Sequence, residues 1–220
     1  IAVSEGKRWA LTADNEVLVA ENGEEDFRCV RKIEGMYSGT DGFVNVCFVD
    51  AQTAYAAYFS EDGRSVVVER TSDGGESWEQ TSLVYGDYGE VCDAGSVYLS
   101  FFDDENGYIG VSYHGEDSYL YRTENAGAEW RSEKLPVQDE SISYIDGYAP
   151  VFYGENGTGM IVLKAVGESA SYRLFLTEDY GAAWKAAGEL PLESVQGYAA
   201  DGVGRLLFVD GMGKLYERVG

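Results

Sequence analysis

The sequence predicts an all-β protein assembled from repeated four-stranded antiparallel sheets, and three observations predict it. The eight-residue stretch Thr71-Ser72-Asp73-Gly74-Gly75-Glu76-Ser77-Trp78 returns as Thr123-Glu124-Asn125-Ala126-Gly127-Ala128-Glu129-Trp130 and as Thr177-Glu178-Asp179-Tyr180-Gly181-Ala182-Ala183-Trp184. Asp73, Asn125 and Asp179 thereby stand 52 and 54 residues apart, and a worn copy, Ala20 to Phe27, places Asn22 51 residues upstream of Asp73. Between the copies, short segments alternate apolar with polar residues, the period of half-buried strands. Finally, 28 Gly against 3 Pro in 220 residues suits many strands joined by tight turns. Self-similarity at this interval is the mark of a repeat architecture.

The elements follow in order. Residues 7–32 hold Arg8–Thr12, Glu16–Ala20 and Asp26–Ile33, parted by turn signals at Asp14-Asn15 and Asn22-Gly23. A full unit comes next: Phe43–Val49, Thr53–Phe59, Arg64–Thr71 and, past the eight-residue turn, Ser77–Val84. The second runs Ser96–Phe102, Gly107–Tyr113, Ser118–Thr123 and Glu129–Leu135; the third runs Tyr148–Tyr153, Thr158–Lys164, Tyr172–Thr177 and Ala183–Leu190. Four strands per period is the make-up of one propeller blade. The tail supplies Gln196–Ala200, Arg205–Val209 and Lys214–Val219.

Between first and second strands, the spacing Phe48-x-Asp50-x-x-x-Ala54-Tyr55 returns as Phe101-x-Asp103-x-x-x-Gly107-Tyr108, with a weaker echo at Phe152 to Gly159. An early acid and a late small residue describe a tight turn. The stretch from Arg205 to Asp210 mirrors that from Arg8 to Asp14, so each end of the chain holds a middle hairpin and the blade count is five. The repeats are 5–42, 43–95, 96–147, 148–194 and 195–220, in a single domain. The last lacks a fourth strand, which Ile1–Ser4 is expected to supply, so that N- and C-terminal strands together remove open sheet edges. Pairing of Ile1–Ser4 inside its own blade would make that closure less complete.

In the eight-residue unit, Asp or Asn accepts N–H groups from the residues after it, Gly two positions on takes φ > 0, and Trp opens the next strand. The unit resembles the Asp-box, or BNR, motif Ser/Thr-x-Asp-x-Gly-x-Ser/Thr-Trp of sialidases, sortilin-type receptors, xyloglucan-cleaving glycosidases and photosystem II assembly-factor-like proteins. Residues 71–78 match at every position; Asn125 replaces the Asp of the second copy, and Glu129 and Ala183 replace the penultimate hydroxyl. The spacing around Asp50 and Asp103 is similar to that of the assembly-factor-like branch. The resemblance implies a β-propeller with structural roles for Asp73, Gly75, Trp78, Asn125, Gly127, Trp130, Asp179, Gly181 and Trp184. It implies no activity, because enzymes and non-enzymes share the motif. Sialidase activity is not expected. That family uses three arginines, a Tyr–Glu pair, an Asp and an Arg-Ile-Pro signature, which only Phe27-Arg28-Cys29-Val30 echoes here, and six blades do not fit 220 residues.

With 16 Lys+Arg against 39 Asp+Glu, the formal charge is −23. A surface this negative repels nucleic-acid backbones and anionic lipids and favours cations, basic proteins or neutral glycans. No run of 18 apolar residues offers a membrane span. The start at Ile1 suggests a leader removed upstream, hence a secreted or cell-envelope protein, expected as a monomer. Cys29, Cys47 and Cys92 leave at least one thiol unpaired, and without C-x-x-C spacing no zinc site is expected. Asp103-Asp104-Glu105-Asn106-Gly107 is rich in oxygen ligands but lacks the twelve-residue calcium loop. No metal or cofactor is expected.

The links between blades, 33–42, 85–95, 136–147 and 191–195, are longer than the turns within them and lie on the side opposite the Asp-box turns. Binding residues favour such loops. That side, which also carries the turns between second and third strands, brings Tyr37, Asp41, Tyr85, Tyr88, Asp93, His114, Tyr144 and Asp146, and tyrosine faces beside carboxylates suit sugar rings. The expected function is non-enzymatic binding or scaffolding with a protein or glycan ligand. The alternative is a glycoside hydrolase with a carboxylate pair at the channel mouth, drawn from Asp93, Asp139 and Asp146; sequence spacing marks no pair.

Overall fold

The computed structural model describes the chain except residues 1, 5, 22, 38–43, 86–93, 114–117, 138–140, 154–155, 201–204 and 220. It is all-β, a propeller of five antiparallel blades. Blade 1 is ordered β1 (Ala2–Ser4), β2 (Lys7–Leu11), β3 (Glu16–Glu21), β4 (Arg28–Lys32). Blade 2 is β5 (Asn45–Phe48), β6 (Ala54–Phe59), β7 (Ser65–Thr71), β8 (Glu79–Tyr85), and blade 3 is β9 (Ala94–Phe101), β10 (Gly107–Tyr113), β11 (Tyr119–Thr123), β12 (Arg131–Glu133). In blade 4, β13 (Tyr144–Gly147) and β14 (Val151–Phe152) both pair β15 (Gly159–Val166), which continues to β16 (Ala170–Thr177) and β17 (Lys185–Leu190). Among the described residues blade 5 holds three strands, β18 (Gly197–Ala200), β19 (Arg205–Val209) and β20 (Leu215–Val219). Two compact units are formed, residues 1–114 with 121–133, and residues 115–120 with 134–220.

Two expectations are corrected. Ala2–Ser4 pairs within its own blade, Ala2 opposite Trp9 and Ser4 opposite Lys7, so it does not complete the C-terminal blade. The connection is a tight hairpin carrying Gly6 at φ +84°, and closing so short a loop costs far less chain entropy than reaching a strand two hundred residues away. In blade 4 the first strand begins at Tyr144, not Tyr148, and is interrupted at 148–150. Pro150 has no N–H to give the ladder, the Tyr148 hydroxyl donates to Val195 O at 2.5 Å, and Ala149 O accepts from the Tyr198 hydroxyl at 2.7 Å.

In the first unit the core lies between blades. Trp9 is fully buried with Val17, Val19 and Ala54, and Trp78, Val46 and Phe48 pack against that cluster. Trp78 and Val46 also border the cluster of Ile33, Val44, Ala56, Tyr58 and Val67, so one indole serves two clusters. In the second unit Met160, Val162, Tyr172 and Leu174 of blade 4 bury against Leu206 and Phe208 of blade 5.

A bulge recurs where third and fourth strands pair. The ladder skips Val30 in blade 1, Thr81 in blade 2 and Ala187 in blade 4. Such an extra residue turns the strand and re-aims its side chain.

Candidate functional site

The three eight-residue turns fold alike. In the first, Thr71 Oγ1 donates to Asp73 Oδ1 at 2.8 Å and accepts Gly75 N–H at 2.9 Å. Asp73 Oδ1 accepts Ser77 N–H at 3.0 Å, and Oδ2 accepts the Ser77 hydroxyl at 2.6 Å. Thr123 accepts Gly127 N–H at 2.9 Å and donates to Asn125 Oδ1, which accepts Glu129 N–H at 2.9 Å. Thr177 and Asp179 repeat the set with Gly181 and Ala183. Asn fits the second copy because its amide oxygen does what one carboxylate oxygen does. The loss of a hydroxyl at Glu129 and Ala183 removes one bond of the set and leaves the rest.

Each turn places two consecutive residues at positive φ: Gly74 and Gly75, Ala126 and Gly127, Tyr180 and Gly181. The second is Gly for a further reason. A Cβ on Gly75 would stand 2.9 Å from Val30 Cγ2, and one on Gly127 would stand 3.0 Å from Thr81 Oγ1. The bulged residues Val30 and Thr81 therefore seat against the turn glycines of blades 2 and 3.

These turns are tied to the first-to-second-strand turns of their own blades. Gly74 N–H donates to Gln52 O at 2.8 Å, Ala126 N–H to Glu105 O at 2.7 Å and Tyr180 N–H to Gly157 O at 3.0 Å. Both turn sets thus share a side of the blade. The acids at their heads are spent on backbone. Asp50 Oδ1 accepts Gln52 and Thr53 N–H, and Asp103 Oδ1 accepts Glu105 and Asn106 N–H; Asp210, in the turn between second and third strands of blade 5, does the same for Met212 and Lys214 N–H. Asn106 Nδ2 donates to both Asp103 oxygens at 3.0 Å. Among the described residues no group of three or more His, Cys, Asp or Glu is placed to hold a metal ion.

Hydrogen bonding sets the acidity of these groups. Donation by the Ser77 hydroxyl, then by Ser77 N–H and Thr71, holds the Asp73 carboxyl down at about 2. The Thr177 hydroxyl and Ala183 N–H lower Asp179, and Lys214 N–H with the Tyr216 hydroxyl lowers Asp210.

Blades of the first unit are fastened by a repeated aromatic device. Trp9 stacks on Phe48 at 5.3 Å and donates Nε1–H to Asp50 O at 3.1 Å; Tyr55 stacks on Phe101 at 3.6 Å and donates its hydroxyl to Asp104 O at 2.7 Å. Arg70 lies over Tyr55 and Arg122 over Tyr108. Burial pushes the Tyr55 hydroxyl up to about 12. Across blades 1 and 2, Arg31 grips Glu69 with Nε at 2.8 Å and Nη2 at 2.6 Å, and the Tyr58 hydroxyl donates to the same carboxylate at 3.0 Å. Glu69 is 7% exposed, and its hydrogen bonds raise Arg31 above its ordinary range. Buried Lys7 donates to Gly74 O at 3.2 Å, pinning blade 1 to the turn of blade 2. No local sequence signal announces these long-range pairs.

Of the eight residues singled out by sequence, Asp41, Tyr88, Asp93 and His114 lie outside the described residues. Tyr85, expected in a link, closes β8 opposite Ser65. Tyr37 sits in the first unit beside the bridge of Met36 with Ser60, and its ring lies against Gly63, in the turn between second and third strands. Tyr144 and Asp146, also expected in a link, are on β13 of the second unit, two apart and so on one face of the strand. Ser118 fixes that strand: its N–H donates to Ile145 O at 2.7 Å, its Oγ accepts Gly147 N–H at 2.9 Å and donates to Asp146 Oδ1 at 3.3 Å.

One concavity was not foreseen. A pocket of about 390 Å³ opens in the second unit between β17 and β20, floored by Leu190, Leu192 and Phe208 and rimmed by Glu189, Glu217 and Arg218.

No protein-family model matches the chain, and no curated protein matches it. Solved structures do. The Hadza microbial sialidase Hz136 superposes with a TM-score of 0.59 at 13% identity, over 92% of this chain and 50% of that one. The GH93 α-L-arabinofuranosidase of Fusarium graminearum, in complex with arabinobiose, gives 0.59 at 11% identity, over 97% of this chain and 76% of that one. YCF48 bound to D1 peptide gives 0.47 at 18% identity, over 81% of this chain and 51% of that one. The chain thus spans about half the length of the YCF48 and sialidase chains. The propellers it is similar to include glycoside hydrolases and a peptide-bound protein, and at these identities the likeness concerns the fold.

Proposed function

We propose that the chain is an exported, monomeric, non-enzymatic binding propeller of the Asp-box repeat type. It takes a protein or glycan ligand on the side that carries the links between blades. The observation that carries this reading is the division of labour among polar groups. On the turn side, Asp50, Asp73, Asp103 and Asp179 are consumed as acceptors for backbone N–H groups. Away from those turns, Tyr144 and Asp146 share one half-exposed face of β13, with Ser118 orienting the carboxylate. An aromatic face beside a held acceptor suits a sugar ring or a basic peptide side chain. Asp41, Tyr85, Tyr88, Asp93, His114 and Tyr37 extend the same reading. The three hydrogen-bonded turns support the Asp-box kinship, and the charge of −23 supports a neutral or cationic ligand.

The test is a glycan and peptide panel run beside a glycosidase-substrate panel on one preparation, with Tyr144→Ala and Asp146→Asn in parallel. The expected result is saturable binding weakened at least tenfold by either change, without turnover. Turnover abolished by Asp146→Asn would replace this reading with a glycoside hydrolase.

A further inference from the structure

The sequence holds three Asn-Gly pairs, each preceded by Glu: Asn22-Gly23, Asn106-Gly107 and Asn156-Gly157. Asn22 lies outside the described residues; the other two pairs occupy the first-to-second-strand turns of blades 3 and 4. An Asn side chain that precedes Gly is open to attack by the glycine nitrogen, because no Cβ stands in the way. The two turns treat this shared chemistry in opposite ways.

In blade 3 the pair is held. Asn106 Nδ2 donates to both Asp103 oxygens at 3.0 Å, and Asn106 N–H donates to Asp103 Oδ1 at 2.7 Å. Asn106 O accepts Phe102 N–H at 3.1 Å, and Gly107 opens β10 against the Phe101 ring, where a Cβ would stand 2.6 Å away. Swinging the Asn106 amide carbon onto the Gly107 nitrogen would break both side-chain bonds to Asp103.

In blade 4 the turn is one residue longer, since Tyr153 N–H donates to Thr158 O at 2.8 Å where Phe102 N–H donates to Asn106 O. In the spacing that puts Asp50 and Asp103 at the heads of the shorter turns, the sequence has Gly154. Asn156 is exposed, and among the described residues neither its amide nor the Gly157 N–H has a partner. Beyond it the chain is fixed. Gly157 sits at φ +74° against the Tyr180 ring, where a Cβ would stand 2.5 Å away, and Gly157 O accepts Tyr180 N–H at 3.0 Å. Tyr180 is itself at φ +54°, a conformation that a bulky residue keeps only when its surroundings hold it. The reactive pair is thus joined directly to the Asp-box turn of blade 4.

We propose that Asn156 modifies itself through Gly157 and in doing so loosens that turn. The Gly157 nitrogen gives its proton to solvent hydroxide and bonds to Asn156 Cγ; the Cγ–Nδ2 bond breaks, and Nδ2 leaves as ammonia. Water then opens the resulting succinimide at either carbonyl, giving aspartate or isoaspartate, so that the sum is one water taken up and one ammonia released. Isoaspartate routes the chain through Cγ. It adds one carbon to the backbone just before Gly157, and a negative charge, and so moves Gly157 O off Tyr180 N–H. Asn106 keeps its amide because Asp103 holds it.

The test incubates the purified protein at physiological temperature and mildly alkaline pH in heavy-oxygen water, beside a sample unfolded in urea. Peptide mass spectrometry follows conversion at Asn156 and Asn106, methyl transfer by an isoaspartyl methyltransferase counts isoaspartate, and amide exchange follows Tyr180. In the folded protein Asn156 is expected to convert at least tenfold faster than Asn106, with heavy oxygen and isoaspartate at that position. In urea the two sites are expected to convert at similar rates. Tyr180 is expected to exchange at least tenfold faster in the aged protein than in the fresh one, and Asn156→Gln, whose longer side chain does not close the five-membered ring, is expected to abolish that change. The aged and fresh samples share one sequence, so they decide the matter even if the variant folds poorly. The proposal is overturned by no conversion at Asn156, by equal conversion of the two folded sites, or by the same bias in urea as in the fold. It is equally overturned by conversion without isoaspartate, or by a Tyr180 amide as slow after conversion as before.

Discussion

Blade 2 and blade 5 are built on the same middle hairpin and differ in what flanks it among the described residues. In blade 2, β7 is paired on both sides, its turn is closed by Thr71 and Asp73, and its flank is gripped by Arg31 and Lys7 from blade 1. Among the described residues blade 5 has the hairpin, an acid-headed turn at Asp210 and a buried floor of Leu206 and Phe208, and β20 is paired on one side, to β19. The difference teaches where the repeat keeps its strength. The hairpin supplies a buried face; the turn and fourth strand supply the fit to the next blade.

The largest expected effect lies in the lock leading into blade 2. Trp9→Ala removes a fully buried ring and its bond to Asp50 O and should cost about 3–5 kcal/mol. Leu215→Ala, on the open edge of blade 5, should stay within about 0.5 kcal/mol. Equal shifts in urea midpoints would erase the contrast. Next in size is Glu69→Gln, which deprives Arg31 of its bidentate partner; with the guanidinium part-exposed, about 2 kcal/mol is expected. Thr71→Val, Thr123→Val and Thr177→Val each strand the N–H of the following glycine, Gly75, Gly127 or Gly181, and should each cost about 1–2 kcal/mol. Three unlike losses would show that the turns are not equivalent.

The smallest effect is one of pH. Asp73 has its pKa held at about 2 in the fold, below the ordinary unfolded value of about 3.9. Its contribution is therefore fully present above the unfolded pKa and is lost as pH falls toward 2. Asp73→Asn should flatten the fall in melting temperature between about pH 4 and pH 2 relative to the parent, because Asn125 already serves the second turn without titrating. An unchanged acid profile would mean that the Ser77 bonds contribute nothing in solution.

What was legible in the sequence is what is local. Each Asp-box turn closes within eight residues, so Thr, Asp or Asn, and Gly at fixed offsets are enough to read it, and strand alternation follows the same logic. Partners chosen from far away left no trace. The pairing of Ala2–Ser4 was read as closure at the C-terminus because an edge strand's pattern names its face and not its neighbour; Gly6 was the overlooked hairpin signal. Tyr144 and Asp146 fell in a link because the strand was read as starting at Tyr148, whereas the first stretch of it ends at Gly147. Arg31 with Glu69 and Lys7 with Gly74 became pairs only when blades were set side by side.

Amide hydrogen exchange across the two third strands, β16 and β20, tests the difference between a strand paired on both sides and one paired on a single side most directly. With β16 paired on both sides, the interior amides from Ala170 to Thr177 should all be slow, while in Leu215–Val219 alternate amides should exchange at the rate of exposed backbone. Uniform slow exchange along Leu215–Val219 would mean that a fourth strand already covers that edge.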